Sequence, residues 1–537
     1  MSRLQQFVLS PEVSPADQAV LIEALRDPTL YDHPVRDIRV RETHISWVIL
    51  TGSYAYKIKK AVDYGFLDFS TLAKRHFYCL EELRLNRRFA PDLYIDVLPL
   101  TGDPHRPQWG GGTGRPVEYA VRMRQFPQHG LLSTIAAQQG LTPAHADEIA
   151  LLVAGMHAKV DRATPESPHG RPDDVHHWVM ENFAHIRPSL FDAGDLQLLD
   201  RVGAWCVQAF HRWGSLIEER RRNGYVRECH GDLHLGNLAM VDGRITPFDG
   251  IEFNPQLRWI DVMSEVAFLF MGLQDRGHPG LAWRFLNGYL RQTGDYAGTE
   301  LLDYYLVYRA LVRAKVAILR LAQPGLDMAE QQAVREEYQS YMDLANECAG
   351  SRRRALIITH GLSGSGKSWY AERLVERLGA IRIRSDVERK RLYGYSPEAK
   401  TASGIGSGIY TTTAGMRTYD QLARLARHGI DAGYPVIIDA TFLGRGQRER
   451  FRQLAATTGV PFVILACTAS QDTLRQRILM RQAADSDPSE AGMAVLESQL
   501  QSQEPLGEDE QANVLSPVPD GSESLETLAD RLAGRMA

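Results

Sequence analysis

Gly361-Leu362-Ser363-Gly364-Ser365-Gly366-Lys367-Ser368 is the stretch that decides how the second half of this chain folds. It follows the apolar run Ala355-Leu356-Ile357-Ile358-Thr359, which reads as a short buried parallel strand. It opens the run Trp369-Tyr370-Ala371-Glu372-Arg373-Leu374-Val375, which reads as an amphipathic helix. Strand, glycine-rich turn and helix together make the setting of a phosphate-binding loop. Glycines at 361, 364 and 366 let the backbone curl around Ser365 so that successive N–H groups face one anion, and the helix N-terminus reinforces them. Lys367 then reaches the terminal phosphates of a nucleotide, and the Ser368 hydroxyl ligates magnesium. ATP with Mg2+ is the expected ligand.

Downstream of the loop, the strand Ala380 to Ile383 precedes Arg384-Ser385-Asp386, which places Asp386 at the carboxyl edge of a parallel sheet, where doubly wound folds bind ligands. Asp386 reads either as a helix N-cap or as the group that takes the proton of an acceptor hydroxyl, and the two roles can coexist. The apolar strand ending at Asp439 supplies a Walker-B-like carboxylate for magnesium or its water shell. Arg477 and Arg481 lie four apart on a later helix, face the same way, and are expected to close over the nucleotide and stabilise the transferring phosphoryl group. The strand Phe462 to Leu465 completes an alternation of helices and strands that implies an α/β doubly wound P-loop NTPase domain.

Upstream, a second constellation stands at His230-Gly231-Asp232-Leu233-His234-Leu235-Gly236-Asn237, followed a short hairpin later by Phe248-Asp249-Gly250. An aspartate five residues before an asparagine, then a second aspartate, is the protein-kinase spacing for phosphoryl transfer. Asp232 is the candidate base, Asn237 and Asp249 are the candidate metal ligands, and His230 and His234 are expected to shape the loop by hydrogen bonding. Hard magnesium prefers oxygen ligands, and a carboxylate both ligates it and accepts a proton.

That string resembles the aminoglycoside phosphotransferase and choline kinase branch of the protein-kinase-like fold, over roughly residues 35 to 345. The resemblance implies a phosphate-binding lysine in Ala55-Tyr56-Lys57, with Lys59 on the same strand face as the alternate, and a glutamate partner at Glu82 or its neighbour Glu81. It also implies that Asp261, in Trp259-Ile260-Asp261-Val262, braces the catalytic loop. The chain departs from the kinase pattern in having only Thr51-Gly52-Ser53 where a longer glycine-rich loop covers the phosphates. The C-terminal motifs, taken together, resemble polynucleotide-kinase-like and zeta-toxin-like kinases over roughly 355 to 500, which implies Asp386 as base, Arg389 as an acceptor-phosphate contact and Arg477 and Arg481 as lid residues. The fused arrangement resembles bacterial bifunctional phosphotransferase and ATP-binding proteins. The expected organisation is multidomain: a protein-kinase-like α+β domain over 1–349 and a P-loop kinase domain over 350–537, joined by the polar stretch Asn346 to Arg354.

Length and composition fit this. At 537 residues the chain exceeds one hydrophobic core. A formal charge of −5 gives no whole-chain case for nucleic acid, and the local clusters Arg220-Arg221-Arg222 and Arg352-Arg353-Arg354 read as solvated helix faces or linkers more readily than as contacts. Five scattered cysteines argue against a zinc site or a disulfide framework. Without a signal-peptide pattern or a membrane-length apolar run, a cytoplasmic protein with no membrane partner is expected. The expectation is an ATP-dependent phosphotransferase with two nucleotide sites and a small-molecule acceptor hydroxyl. The alternatives are a nucleic-acid end kinase, for which the C-terminal arginines from 445 to 452 would track a phosphate backbone, and an ATP-driven switch without transfer.

Overall fold

The computed structural model describes residues 15–35, 37–65, 67–110, 114–190, 192–321, 325–350, 352–401, 403, 407–484, 489–518 and 523–536. The chain packs into two compact units, Met1–Leu141 with Lys159–Gly170 and Arg220–Glu265, and Thr142–Ala158 with Arg171–Glu219 and Val266–Ala537. This division does not follow the expected boundary near 350. The helices after Glu265 pack with the P-loop half.

The first unit carries a six-stranded antiparallel sheet in the order Arg39–Glu42, Ser46–Leu50, Tyr54–Lys59, Pro116–Arg124, Tyr94–Asp103, Arg106–Trp109. Tyr54–Lys59 is an interior strand, with Lys57 opposite Val48 on one side and Val121 on the other. Residues 55 to 59 are all buried, so both faces of this strand are covered. Gly52 makes the turn into it with φ +96°, a conformation that costs glycine little. The helix Leu72–Arg87 starts at Thr71, whose side chain accepts from Lys74 N–H. Its buried face holds Arg75, Cys79, Glu82 and Asn86, three and four apart, so this helix buries polar groups that each need a partner. Arg75 finds Glu118 at 2.9 Å; Glu82 is described below.

Two short antiparallel pairs carry the kinase-type motifs. Val226–Glu228 pairs with Trp259–Asp261, and Leu238–Val241 with Arg244–Pro247. The second hairpin turns at Asp242-Gly243, both with positive φ, the backbone that matches strand twist in a two-residue turn. Of the arginine run at 220, Arg222 is exposed but Arg220 and Arg221 are not solvated. Arg220 is buried and grips both oxygens of Asp261 at 2.7 and 2.8 Å, and Arg221 is buried against the carbonyls of Pro165 and Ser167. A helix end reads as solvated from sequence because its partner lies far along the chain.

The second unit joins the helices Pro143–Lys159, Pro172–Ile186, Ala193–Arg222, Val262–Asp275, Pro279–Thr293, Leu302–Leu321 and Met328–Cys348, in whole or large part, to a five-stranded parallel sheet. Its strands run in the order Ile381–Arg384, Val436–Asp439, Leu356–His360, Phe462–Ala466, Val514–Leu515. Leu356, Ile357 and Ile358 are fully buried, as a strand covered on both faces requires, which is why the sequence there is an unbroken apolar run. The first strand in sequence sits in the middle of the sheet, so the loops after Thr359 and Asp439 open side by side at the switch point. The expected linker is anchored: Met328–Cys348 is helix through Cys348, and Arg352 binds Asp303 at 2.9 Å and lies over the Tyr434 ring. Among the described residues all five cysteines are buried and unpaired in disulfides, and no helix is long and apolar enough to cross a membrane.

Candidate functional site

The P-loop strand Leu356–His360 delivers its chain into a turn of three positive-φ glycines, Gly361 at +138°, Gly364 at +86° and Gly366 at +98°. Space demands glycine as much as dihedral angle does. A Cβ at Gly361 would stand 2.2 Å from the carbonyl oxygen of Cys467, and one at Gly364 would stand 2.9 Å from that of Leu474. The helix Lys367–Leu378 begins directly after Gly366, so its unpaired N–H groups face the same space as the loop.

A cleft of about 440 Å³ opens above this loop, wholly within the second unit. Gly364, Gly366, Lys367, Ser368, Asp386, Asp439, Arg477 and Arg481 all line it. Gly361 and Ser365 lie beneath: Gly361 N–H donates to Thr441 O, and the Ser365 hydroxyl is buried with no hydrogen-bond partner among the described residues. The Ser368 hydroxyl donates to Asp439 Oδ1 at 3.0 Å, so the two groups expected on the metal already stand together. Asp439 Oδ2 accepts from Arg382 Nε at 3.1 Å and Nη2 at 2.6 Å. Burial alone would raise the Asp439 pKa, but Arg382 and Arg384 outweigh it and hold the carboxyl below its ordinary value. Lys367 is buried and donates to Leu362 O at 2.7 Å; desolvation lowers its pKa despite the opposing field of Asp439.

Asp386 is in the first turn of the helix Ser385–Leu392, whose N-cap is Arg384, so its carboxylate is not the cap. It faces the cleft with Arg389 at 3.5 Å, and the Arg389 guanidinium lies over the Tyr410 ring. Arg477 and Arg481 sit on the helix Gln471–Ala484; Arg477 Nη1 donates to Gly364 O at 3.2 Å and Arg481 donates to Ala491 O. Gln499, which the sequence reading missed, accepts from the Ser363 N–H at 2.9 Å and so braces the loop from another helix.

The kinase-type site lies wholly within the first unit. Lys57 Nζ donates to Glu82 Oε1 at 2.9 Å and pairs with Asp249; Lys59 Nζ donates to Glu82 Oε2 at 2.7 Å and pairs with Glu252. Glu82 therefore serves both lysines, and Lys57 is the one that meets Asp249. Glu81 turns instead to Arg84 at 2.6 Å and Arg258 at 3.0 Å. Burial would push the Glu82 carboxyl up, but the two ammonium groups hold it down at about 2, and the carboxylates around Lys57 outweigh its own desolvation and hold its pKa well above the ordinary value. Burial raises Glu252.

Asn237 Nδ2 donates to Asp232 Oδ2 at 3.0 Å and to Asp232 O at 2.9 Å, which joins candidate base and candidate metal ligand. Asp249 has φ +63°, unusual for a side-chain-bearing residue, and its N–H is held by the Tyr94 hydroxyl at 2.9 Å while Gly250 N–H is held by Asn86 Oδ1 at 2.8 Å. His230 shares a hydrogen bond with Phe248 O at 2.9 Å, and burial lowers its pKa, so it is a neutral spacer between the loops. Asp261 accepts from Arg220 and from Met263 N–H; the carboxylate that holds the backbone of the 230–237 loop is Glu265, on Gly231 N–H at 2.7 Å. Tyr94, Asn86, Glu252 and Glu265 carry no motif that sequence reading would single out.

The residues fit the expected ligands. The loop is a cradle that a side chain would fill, Lys367 and the arginines are donors without competing carboxylates in the loop itself, and Ser368 with Asp439, and Asn237 with Asp249, are hard oxygen sets of the kind magnesium takes. When bound, that ion would supply charge neutralisation between phosphate oxygens.

Fold and sites together define a class: a nucleotide-binding, kinase-type protein that joins a protein-kinase-like part to a P-loop kinase domain. Residues 356–506 match the family model described as an AAA domain. The chain is 32% identical over 464 residues, 86% of its own length and 90% of the relative's, to the Uncharacterized protein Rv2004c of Mycobacterium tuberculosis, with the same figures for the Uncharacterized protein Mb2027c of Mycobacterium bovis, and it belongs to their family. Among solved structures, a choline/ethanolamine kinase family protein from Mesorhizobium loti is 13% identical, with 62% of this chain and all of that one covered at TM-score 0.34. The Mycobacterium tuberculosis APS kinase CysC, in complex with AMPPNP and APS, is 20% identical, with 34% of this chain and 98% of that one covered at TM-score 0.26.

Proposed function

We propose that this protein is an ATP-dependent phosphotransferase with two nucleotide sites, each moving the γ-phosphoryl group to the hydroxyl of a small-molecule acceptor. The observation that carries the proposal is the C-terminal cleft, where Lys367, the Ser368–Asp439 pair, Asp386 and two arginines from a separate helix face one space. In each site an aspartate, Asp386 or Asp232, takes the proton as the acceptor oxygen bonds to phosphorus and the bond to the bridging oxygen breaks, releasing ADP. Lys367 and Lys57 hold phosphate oxygens, and Arg477 and Arg481 meet the charge that spreads over the transferring group. Ser368 with Asp439, and Asn237 with Asp249, would hold the magnesium.

The end-kinase alternative leans on the arginines at 445 to 452. Arg448 is buried on Glu510 at 2.7 Å, Arg445 meets Asp509 at 2.8 Å, Arg452 meets Glu449 at 2.7 Å, and Arg450 pairs with Asp420. Their charge is matched within the chain, which favours the small-molecule reading.

The test incubates wild type, Asp232→Asn and Lys367→Ala with labelled ATP and a cell metabolite extract, and identifies labelled products by mass spectrometry. The two variants should each lose a different product set. Both variants labelling the same compounds as wild type would contradict the assignment.

A further inference from the structure

The strand Ile381–Arg384 is the edge of the parallel sheet, so half of its backbone polar groups face away from any neighbouring strand. Ile381 N–H donates inward to Pro435 O, which turns the carbonyl of Ala380 and the N–H of Arg382 outward. Both are met by one side chain. Asn287, on the helix Pro279–Thr293, accepts from Arg382 N–H at 2.6 Å and donates to Ala380 O at 2.9 Å, so its carboxamide takes the place of a peptide group in a missing strand.

Arg382 is also the residue whose guanidinium grips Asp439, and Asp439 accepts from Ser368. The same helix holds the other half of the site: Arg284 binds Glu376 at 2.9 Å and Glu372 at 3.0 Å, both on the helix that Lys367 and Ser368 begin, and the Trp283 ring packs on Gly379 at that helix's end. One helix, lying before the sequence boundary at 350, therefore touches both the helix that carries Ser368 and the strand whose Arg382 grips Asp439.

We propose that Asn287 is a positioning residue for the P-loop site, setting the register of Arg382 and through it the orientation of the Asp439 carboxylate toward the metal of MgATP. The inference rests on the reading of Ser368 and Asp439 as the metal pair. A group that hydrogen-bonds a metal ligand, as Arg382 does Asp439, is commonly worth about 10- to 100-fold in metal affinity, and Asn287 acts through Arg382 at the lower end of that range.

The experiment titrates Mg2+ into the full chain with a fluorescent ATP analogue, in a Lys57→Ala background and with the analogue kept too dilute to fill the weakened first site, so that the C-terminal site is the one read. Asn287→Leu, which keeps the branching of the side chain and removes its hydrogen bonds to Arg382 N–H, Ala380 O and Trp283 O, should raise the Mg2+ concentration for half-maximal binding about 10-fold, while binding of the analogue in excess chelator stays as in the parent. Asn287→Asp keeps the acceptor for Arg382 N–H and loses the donor to Ala380 O, so it should shift the midpoint in the same direction by less; it decides alone if the leucine variant does not fold. An unmoved midpoint in a folded variant, whatever its melting temperature, overturns the proposal. Lys367→Ala in the same titration separates the two readings: binding like the parent would overturn the assignment of the site itself, whereas its loss beside an unmoved Asn287 midpoint overturns the positioning role alone.

Discussion

Lys57 and Lys367 stand in opposite surroundings. Lys57 is ringed by carboxylates, with Glu82 and Asp249 in direct contact and Glu252 close by, and its positive charge is already balanced. Lys367 rests on a backbone carbonyl, and burial lowers its pKa. A phosphate arriving at Lys57 competes with Asp249; one arriving at Lys367 displaces only Leu362 O. The first site is assembled from side chains on a strand, a helix and two loops, whereas the phosphate cradle of the second comes from eight consecutive residues whose own backbone makes it. A preformed backbone cradle depends less on distant partners, and the two sites should therefore fail in different ways.

The largest difference should come from Glu82→Gln. Removing the shared partner leaves two buried ammonium groups short of a carboxylate, a loss of about 3–5 kcal/mol, and the first unit should melt earlier in calorimetry while nucleotide binding at the P-loop persists. The acid limb gives an independent reading. With its pKa held at about 2 against an ordinary 4.5, Glu82 contributes stability that is complete above about pH 4.5 and is lost as pH falls toward 2. Circular dichroism titration should show that part of the acid dependence gone in the variant; an unchanged acid limb would break the account of the lysine pair.

Next, Lys367→Ala should weaken ATP at its site by about 100-fold, and Lys57→Ala by about 10-fold, because charge-assisted hydrogen bonds of about 1.5–3 kcal/mol are fully realised only where no carboxylate competes. Isothermal titration measures both, and equal losses would erase the contrast. The smallest effect belongs to Arg450→Ala: its partner Asp420 is half exposed, so the loss should be at most about 1 kcal/mol, with no change in nucleotide binding. Salt-dependent oligonucleotide binding that falls sharply in Arg450→Ala would revive the nucleic-acid end-kinase reading.

The same contrast governs what the sequence discloses. The P-loop cradle was legible because its logic is local: glycine spacing, an apolar strand before and a helix after. Asp232, Asn237 and Asp249 were legible as a spacing, and the choice among Lys57, Lys59, Glu81 and Glu82 was not, because it turns on which side chains meet across 23 to 25 residues of chain. Arg382, Gln499, Glu252, Glu265 and Asn287 act through partners that only folding supplies. Asn287 sits in an amphipathic helix as an ordinary polar residue until the sheet edge arrives beside it. Near 350 composition marks a polar stretch, while the fold binds Arg352 there to Asp303 and groups the helices on either side in one compact unit.

The most direct test of the central claim is the stoichiometry of ATP binding to the full chain at saturating Mg2+, measured by equilibrium dialysis. Two nucleotides per chain are predicted, with only the C-terminal one lost in Lys367→Ala at an ATP concentration that just saturates the wild type. A single nucleotide in the wild type, abolished by that substitution, would contradict it.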